Sequence, residues 1–160
     1  MAIRDDYLLR HLALLRQAIA RLLQYRLTGR YDEALAEAQQ AQEKLFSRNT
    51  AELSRLSLDE LIRLLRLDEP PAAADAKVRL YADLLRETGL IYEAMDRSDS
   101  AHRCFQLALH VLLTTVPDDA TAGDEVRQSL RDLLGRIPPD QLQAPAADLL
   151  RRLQPDGPPS

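Results

Sequence analysis

Leu8, Leu12, Leu15, Ile19 and Leu22 recur at intervals of four, three, four and three residues. That spacing puts all five on one stripe of a helix with 3.6 residues per turn. The same rhythm returns in later segments, and the breaks between them fall at Gly29, Pro70-Pro71, Pro117 and Pro138-Pro139. Composition agrees with a helical chain. About a fifth of the 160 residues are Leu, only five are Gly, and aromatics make up 4% with no Trp. An all-β fold needs more β-branched and aromatic residues and more Gly turns. No Gly-rich loop is present to cradle a nucleotide phosphate. The expected fold class is all-α, and the length suits one domain.

Helices are predicted over 5–27, 32–46, 58–67, 73–95, 98–115, 120–135 and 145–153. Leu9, Leu14, Ala18, Leu23 and Tyr25 widen the apolar stripe of the first, so it should touch neighbours on two sides. Thr28-Gly29 ends it, with Gly suited to a left-handed C′ position. The short link to the second helix forces an antiparallel αα-hairpin. Ala34, Ala38 and Ala41 on the second helix allow close approach of the two axes. Residues 47–56 are ambiguous between a helical turn and a loop. Ser57-Leu58-Asp59-Glu60 reads as a capping box, and Pro70-Pro71 should stop the helix it starts. Residues 1–153 are expected to form one helical domain, with hairpins at about 5–46 and 73–115, irregular linker helices over 47–72, and C-terminal helices over 120–153. Residues 154–160 read as a loose tail.

Net charge is −4, unevenly spread. Residues 1–30 carry six Arg against Asp5 and Asp6, a surplus of four positive charges. The six Arg are scattered around the helix rather than aligned, and the chain as a whole is acidic, so nucleic acid is not expected as a partner. The longest apolar runs are four or five residues, against about 20 needed to span a bilayer. Cys104 stands alone, which excludes a disulfide framework and a Cys-based metal site. The N-terminus has no apolar secretory core. These features point to a cytoplasmic protein, and the Arg-rich, Lys-poor composition to a bacterial source.

Two stretches echo each other. Gly29-Arg30-Tyr31-Asp32-Glu33-Ala34, followed by Ala38 and Ala41, resembles the turn and second helix of a tetratricopeptide repeat. Leu85, Gly89 and Tyr92, with Ala101, Phe105 and Ala108, resemble both helices of that repeat. Ala34 and Ala101 are 67 residues apart, close to twice its period of about 34. The segment between could be a decayed middle repeat. The resemblance covers about 12–46 and 82–117, under half of the chain. Asp6-Tyr7-Leu8-Leu9-Arg10 and the Gly29–Ala34 turn are also similar to a family of uncharacterised bacterial proteins, which would bring a fold and no established activity. The resemblance implies stacked antiparallel hairpins whose first helices line a concave groove, with C-terminal capping helices. In that register Arg16, Leu23 and Arg26 of the first hairpin, and Asp83, Arg86, Leu90 and Glu93 of the second, face the groove and form the expected partner-binding set. The carboxylate clamp known in this repeat class needs Lys and Asn where Ile19, Leu23, Arg86 and Leu90 stand, so a chaperone-tail receptor is not expected.

Catalytic chemistry finds no foothold. His102 and His110 are two helical turns apart with no third ligand in sequence, and Cys104 points to another face. The acidic pairs Asp96/Asp99, Asp118/Asp119 and Asp124/Glu125 lack the alternating oxygen ligands of a Ca²⁺ loop. Neither metal nor cofactor nor enzymatic activity is expected. The expected function is a non-enzymatic adaptor or scaffold that holds a peptide or helix in its groove. The alternative is a structural or regulatory homodimer, in which the broad stripe of the first helix meets its own copy.

Overall fold

In the computed structural model, which describes residues 2–116 and 123–152, every regular element is helical. In chain order these are α1 (Ala2–Leu27), α2 (Tyr31–Phe46), α3 (Thr50–Leu53), α4 (Leu58–Arg66), α5 (Pro71–Ala94), α6 (Ser98–Leu113), α7 (Asp124–Arg136) and α8 (Ala144–Arg152), with a 3₁₀ turn at Pro139–Gln141 before α8. Parts of the expected C-terminal organisation lie outside the described residues: Asp118, Asp119, the start of the 120–135 helix, the side chains of Leu149 and Leu150, and everything from Leu153 onward.

α1 and α2 form a hairpin, and so do α5 and α6. Their turns are built alike. After α1, Arg30 N–H donates to Tyr25 O at 2.8 Å and Gly29 N–H to Arg26 O at 3.2 Å. After α5, Arg97 N–H donates to Tyr92 O at 2.9 Å and Asp96 N–H to Glu93 O at 3.1 Å. Both pairs satisfy the carbonyls a helix end leaves open, and both need one left-handed residue. Gly29 takes it at φ 74° and Asp96 at φ 58°.

α1 and α2 both pack directly on α5. Phe46 meets Tyr81 edge to face, with centroids 5.0 Å apart. Residues 47–70 therefore do not form a layer between the hairpins. Asn49 caps α3, accepting from Glu52 N–H at 2.9 Å. Ser57 and Glu60 cap α4 reciprocally, as a capping box. α4 lies against α5, held by Arg66, which pairs with Asp75 at 2.8 Å and donates to Thr114 O at 3.3 Å. Pro71 opens α5 two residues earlier than its apolar periodicity suggests. Proline at the first helical position lacks only an N–H that would be unpaired anyway. α6 stops at Leu113, short of the expected 115, where the Thr114 and Thr115 hydroxyls bond Val111 O and Leu112 O at 2.6 and 2.7 Å.

On the far side α6 receives α7 and α8. The buried Gln106 amide holds the turn before α8: its Nε2 donates to Gln141 O, and its Oε1 accepts from Gln143 N–H at 3.4 Å. One continuous core runs from Leu12 and Leu22 through Val78, Ile91, Phe105 and Leu109 to Leu133 and Ala146.

Candidate functional site

α1, α5 and α7 run in one direction, because the side-chain contacts between them climb together. α1 packs on α5, while α7 packs on α6 and reaches α5 through its charged side chains. From α1 to α5, His11 lies near Lys77, Arg16 near Asp83 and Arg26 near Glu87. From α5 to α7, Arg86 meets Asp132 and Glu93 meets Arg136. Arg26 of α1, Arg86, Glu87 and Glu93 of α5, and Asp132 and Arg136 of α7 thus form one line of charge across three helices.

That face is wired together. Arg26 Nη2 lies 3.7 Å from Glu87 Oε2, and Glu87 Oε1 lies 3.2 Å from Arg86 Nη1. Arg86 Nε donates to Asp132 Oδ2 at 2.6 Å, and Arg136 Nε reaches the same oxygen at 3.3 Å. Arg136 Nη1 closes the line on Glu93 at 3.5 Å. Two atoms at its α1 end, Arg26 Nε and Glu87 Oε2, are buried without a hydrogen bond. Partial desolvation draws the Asp132 carboxyl upward, but the hydrogen bonds and charges of Arg86 and Arg136 outweigh it and hold the group below its ordinary range. Asp83 moves the other way. Desolvation raises it, Arg86 opposes the rise, Glu87 adds to it, and Arg16 opposes it from α1.

Six of the seven residues expected from the sequence reach this face. Arg16, Leu23, Asp83 and Glu93 are exposed, while Arg26 and Arg86 are half-buried in the ion-pair line. Leu90 is a correction: it is only 6% exposed and belongs to the core. It lies one turn beyond Glu87, on the flank of α5 that Arg26 of α1 meets, so packing has closed over it. Glu87, Asp132 and Arg136 join the face without having been expected there. Glu87 has a signal in the sequence, as a carboxylate set among apolar positions of α5. Asp132 and Arg136 have none, because nothing in the sequence states that side chains of α7 reach α5.

Two shallow depressions of about 340 Å³ each lie elsewhere. One, beside α4, is lined by Leu56, Leu64 and Leu67 with Arg48 and Arg63 at its edge. The other lies between α1 and the end of α2, under the stacked rings of Tyr7 and His11, with Lys44 beside it. Desolvation and the charge of Lys77 hold His11 below its ordinary value. His110 Nε2 is 3.8 Å from Asp59 Oδ1. Burial pushes the Cys104 thiol up to about 11, which makes it a poor nucleophile at neutral pH. Among the described residues no three His, Cys, Asp or Glu side chains gather as a metal site would require, and no helix is long and apolar enough to cross a membrane.

Compared with known proteins, the chain matches no family model, no curated protein and no solved structure.

Proposed function

We propose that the protein is a non-enzymatic interaction module, tetratricopeptide-like in its stacking, that holds a helix or extended peptide against the face of α1, α5 and α7. The observation that carries this reading is the composition of that face at its α1 edge. Leu23 is 40% exposed there, one turn before Arg26 and its contact with Glu87. An apolar contact bordered by fixed charges of both signs suits recognition of an amphipathic segment, with apolar area giving affinity and the charges giving register. Stacked helical hairpins commonly present such surfaces.

A photoreactive amino acid placed at Leu23 tests the proposal, with the same group at Ala36 on the exposed side of α2 as the control. In lysate of the expressing cells, cross-linking to a defined partner is expected at position 23 and not at 36. Equal labelling at both positions, or none at 23, would refute the reading.

A further inference from the structure

The flank of α1 away from Leu23, across the buried stripe of Leu8 to Leu22, carries a different surface. Tyr7, His11, Leu14, Ala18 and Arg21 follow one another at intervals of four, three, four and three, so they share one side of the helix. With Lys44 and Ser47 from the end of α2 they line the depression of about 340 Å³. That volume falls at the lower end of the about 300–1,000 Å³ usual for small-molecule sites, which combine apolar walls with a few placed polar groups. The apolar part here is Leu14, 61% exposed, with buried Ala18 and the ring of Tyr7, 70% exposed. The Tyr7 and His11 rings lie parallel within 5°, with centroids 6.1 Å apart.

The charges decide what fits. The chain as a whole is acidic, yet among the described residues no carboxylate lines this depression. Arg21 is already held by Glu37, whose Oε1 accepts from Nε at 2.9 Å and from Nη2 at 2.6 Å. The sequence contains only two Lys, and both stand near His11. Lys77 lines an adjoining cavity of about 180 Å³ and is paired with Glu69 at 3.0 Å. Lys44 has no ion-pair partner among the described residues. One uncompensated positive charge is therefore left at the rim, with the Ser47 hydroxyl one turn further on. The equally large depression beside α4 differs, because Glu60 stands in its wall and Glu52 holds its Arg48.

We propose that the depression between α1 and α2 binds a small monoanion with a flat apolar body, an aryl carboxylate. Its carboxylate accepts from the Lys44 ammonium and the Ser47 hydroxyl, a charge-assisted pairing. Its ring lies over Leu14 and Ala18 beside Tyr7. A second anionic group would find Arg21 and Lys77 already taken by Glu37 and Glu69. His11 adds a dependence on pH. Burial and the charge of Lys77 keep it uncharged at neutral pH. The groups around it are Tyr7 on its own helix, Lys44 from α2, Lys77 from α5 and Glu69 just before α5. When it gains a proton on acidification, the lining gains a positive charge, and the carboxylate is held more tightly.

NMR titration of the full chain with naphthoate tests the proposal. The probe is expected to move the imidazole signals of His11 and to leave those of His102 and His110 in place. Lys44→Ala, an exposed change whose fold is checked by circular dichroism, is expected to weaken binding about tenfold. Arg63→Ala, beside the other depression, should leave it unchanged. Naphthamide has the rings without the charge, and acetate has the charge without the rings. Each is expected to bind about tenfold more weakly or worse. Lowering the pH from about 8 to about 5.5 should tighten naphthoate binding about threefold, the worth of one more charge near a surface. Absence of any His11 shift up to about 1 mM naphthoate overturns the proposal. So does equal binding of naphthamide or acetate, an equal loss in Arg63→Ala, or affinity that weakens on acidification. If Lys44 serves only to offset the negative end of the α2 dipole, Lys44→Ala will lower stability and leave naphthoate binding as it was, which also overturns it. None of these outcomes bears on the Leu23 edge, which lies on the other flank of α1.

Discussion

The two hairpins share a turn and differ in what fills them. At the crossing of α1 and α2, Leu22 on the first helix corresponds to Gly89 on α5, and Ala38 on the second corresponds to Phe105 on α6. One hairpin places the large residue on its first helix and the small one on its second, and the other reverses them. Leu22 and Phe105 are both fully buried. A Cβ added at Gly89 would come within 2.6 Å of Cε1 of Phe105, closer than any neighbour tolerates without moving. Equivalent sites therefore conserve summed volume rather than residue type, as close packing at near-crystalline density requires. The hairpins also differ in their surroundings. The second is covered on both sides, by α1 and α2 and by α7 and α8, whereas among the described residues the first is covered on one side only. The same register that buries Leu90 leaves Leu23 in solvent.

Breaking the large partner should have the largest effect. Phe105→Ala is expected to cost about 3–5 kcal/mol, measured by urea denaturation, and Leu22→Ala about 2–5 kcal/mol in the other hairpin. Gly89→Leu alone should cost about 3 kcal/mol through its collision with the ring. Combined as Gly89→Leu with Phe105→Ala, the second hairpin acquires the large-and-small order of the first. The double variant is expected to lose less than the two singles together, by about 1 kcal/mol or more. Additive losses would mean that the reversal of sizes is incidental.

The contact between hairpins comes next. Glu87→Ala leaves Arg26 and Arg86 without their shared carboxylate and is expected to cost about 1–3 kcal/mol. Replacing Arg26 and Glu87 together by Met should be near neutral, since apolar packing often matches a buried ion pair. A cost for the double variant as large as for Glu87→Ala would show that the charges themselves hold α1 to α5.

The two flanks of α5 should then separate by pH. Asp132, on the α7 side, has its folded value lowered. Its contribution to stability is present above the ordinary carboxylate range and is lost as pH falls through the folded value. Asp83, on the α1 side, has its folded value raised, so its charged form costs stability at neutral pH and that cost fades on acidification. Asp132→Asn is thus expected to destabilise at neutral pH and Asp83→Asn to stabilise. The Asp83 difference should fade as pH falls through its raised folded value to the ordinary carboxylate value of about 4, and the Asp132 difference only as pH falls below about 4. Melting temperatures of the two variants from neutral pH to below about 4 decide it.

The smallest effect lies in the turns. Asp96→Gly gives the second turn the residue of the first and should stabilise by about 0.5–1 kcal/mol, since Gly enters the left-handed region without the strain of a Cβ. Gly29→Asp should destabilise by a similar amount. Equal stability of all three proteins would mean that the Asp96 side chain compensates for its backbone.

Local order alone determined much of this protein. The three-and-four spacing of Leu and Ala, the Gly29 turn and the Ser57–Glu60 cap each involve residues within one or two helical turns of each other, so their physics is complete in the sequence. For the same reason the all-α class and most helix positions are legible in the residues themselves. Glycine scarcity left Asp96, rather than Gly, at an equivalent left-handed position, and no short pattern announces such a substitution. The candidate face is legible only in part. The resemblance to the repeat, through its register, implies that Arg16, Arg26, Asp83 and Arg86 share the groove side of their helices. Tertiary structure decided which of those sides stay open. Packing of α1 over one flank of α5 buried Leu90, and the approach of α7 to the other brought Asp132 and Arg136 to Arg86. Periodicity tells how a helix is oriented about its own axis. It does not say which neighbour will cover a given flank, because that depends on volumes and charges supplied by residues tens of positions away.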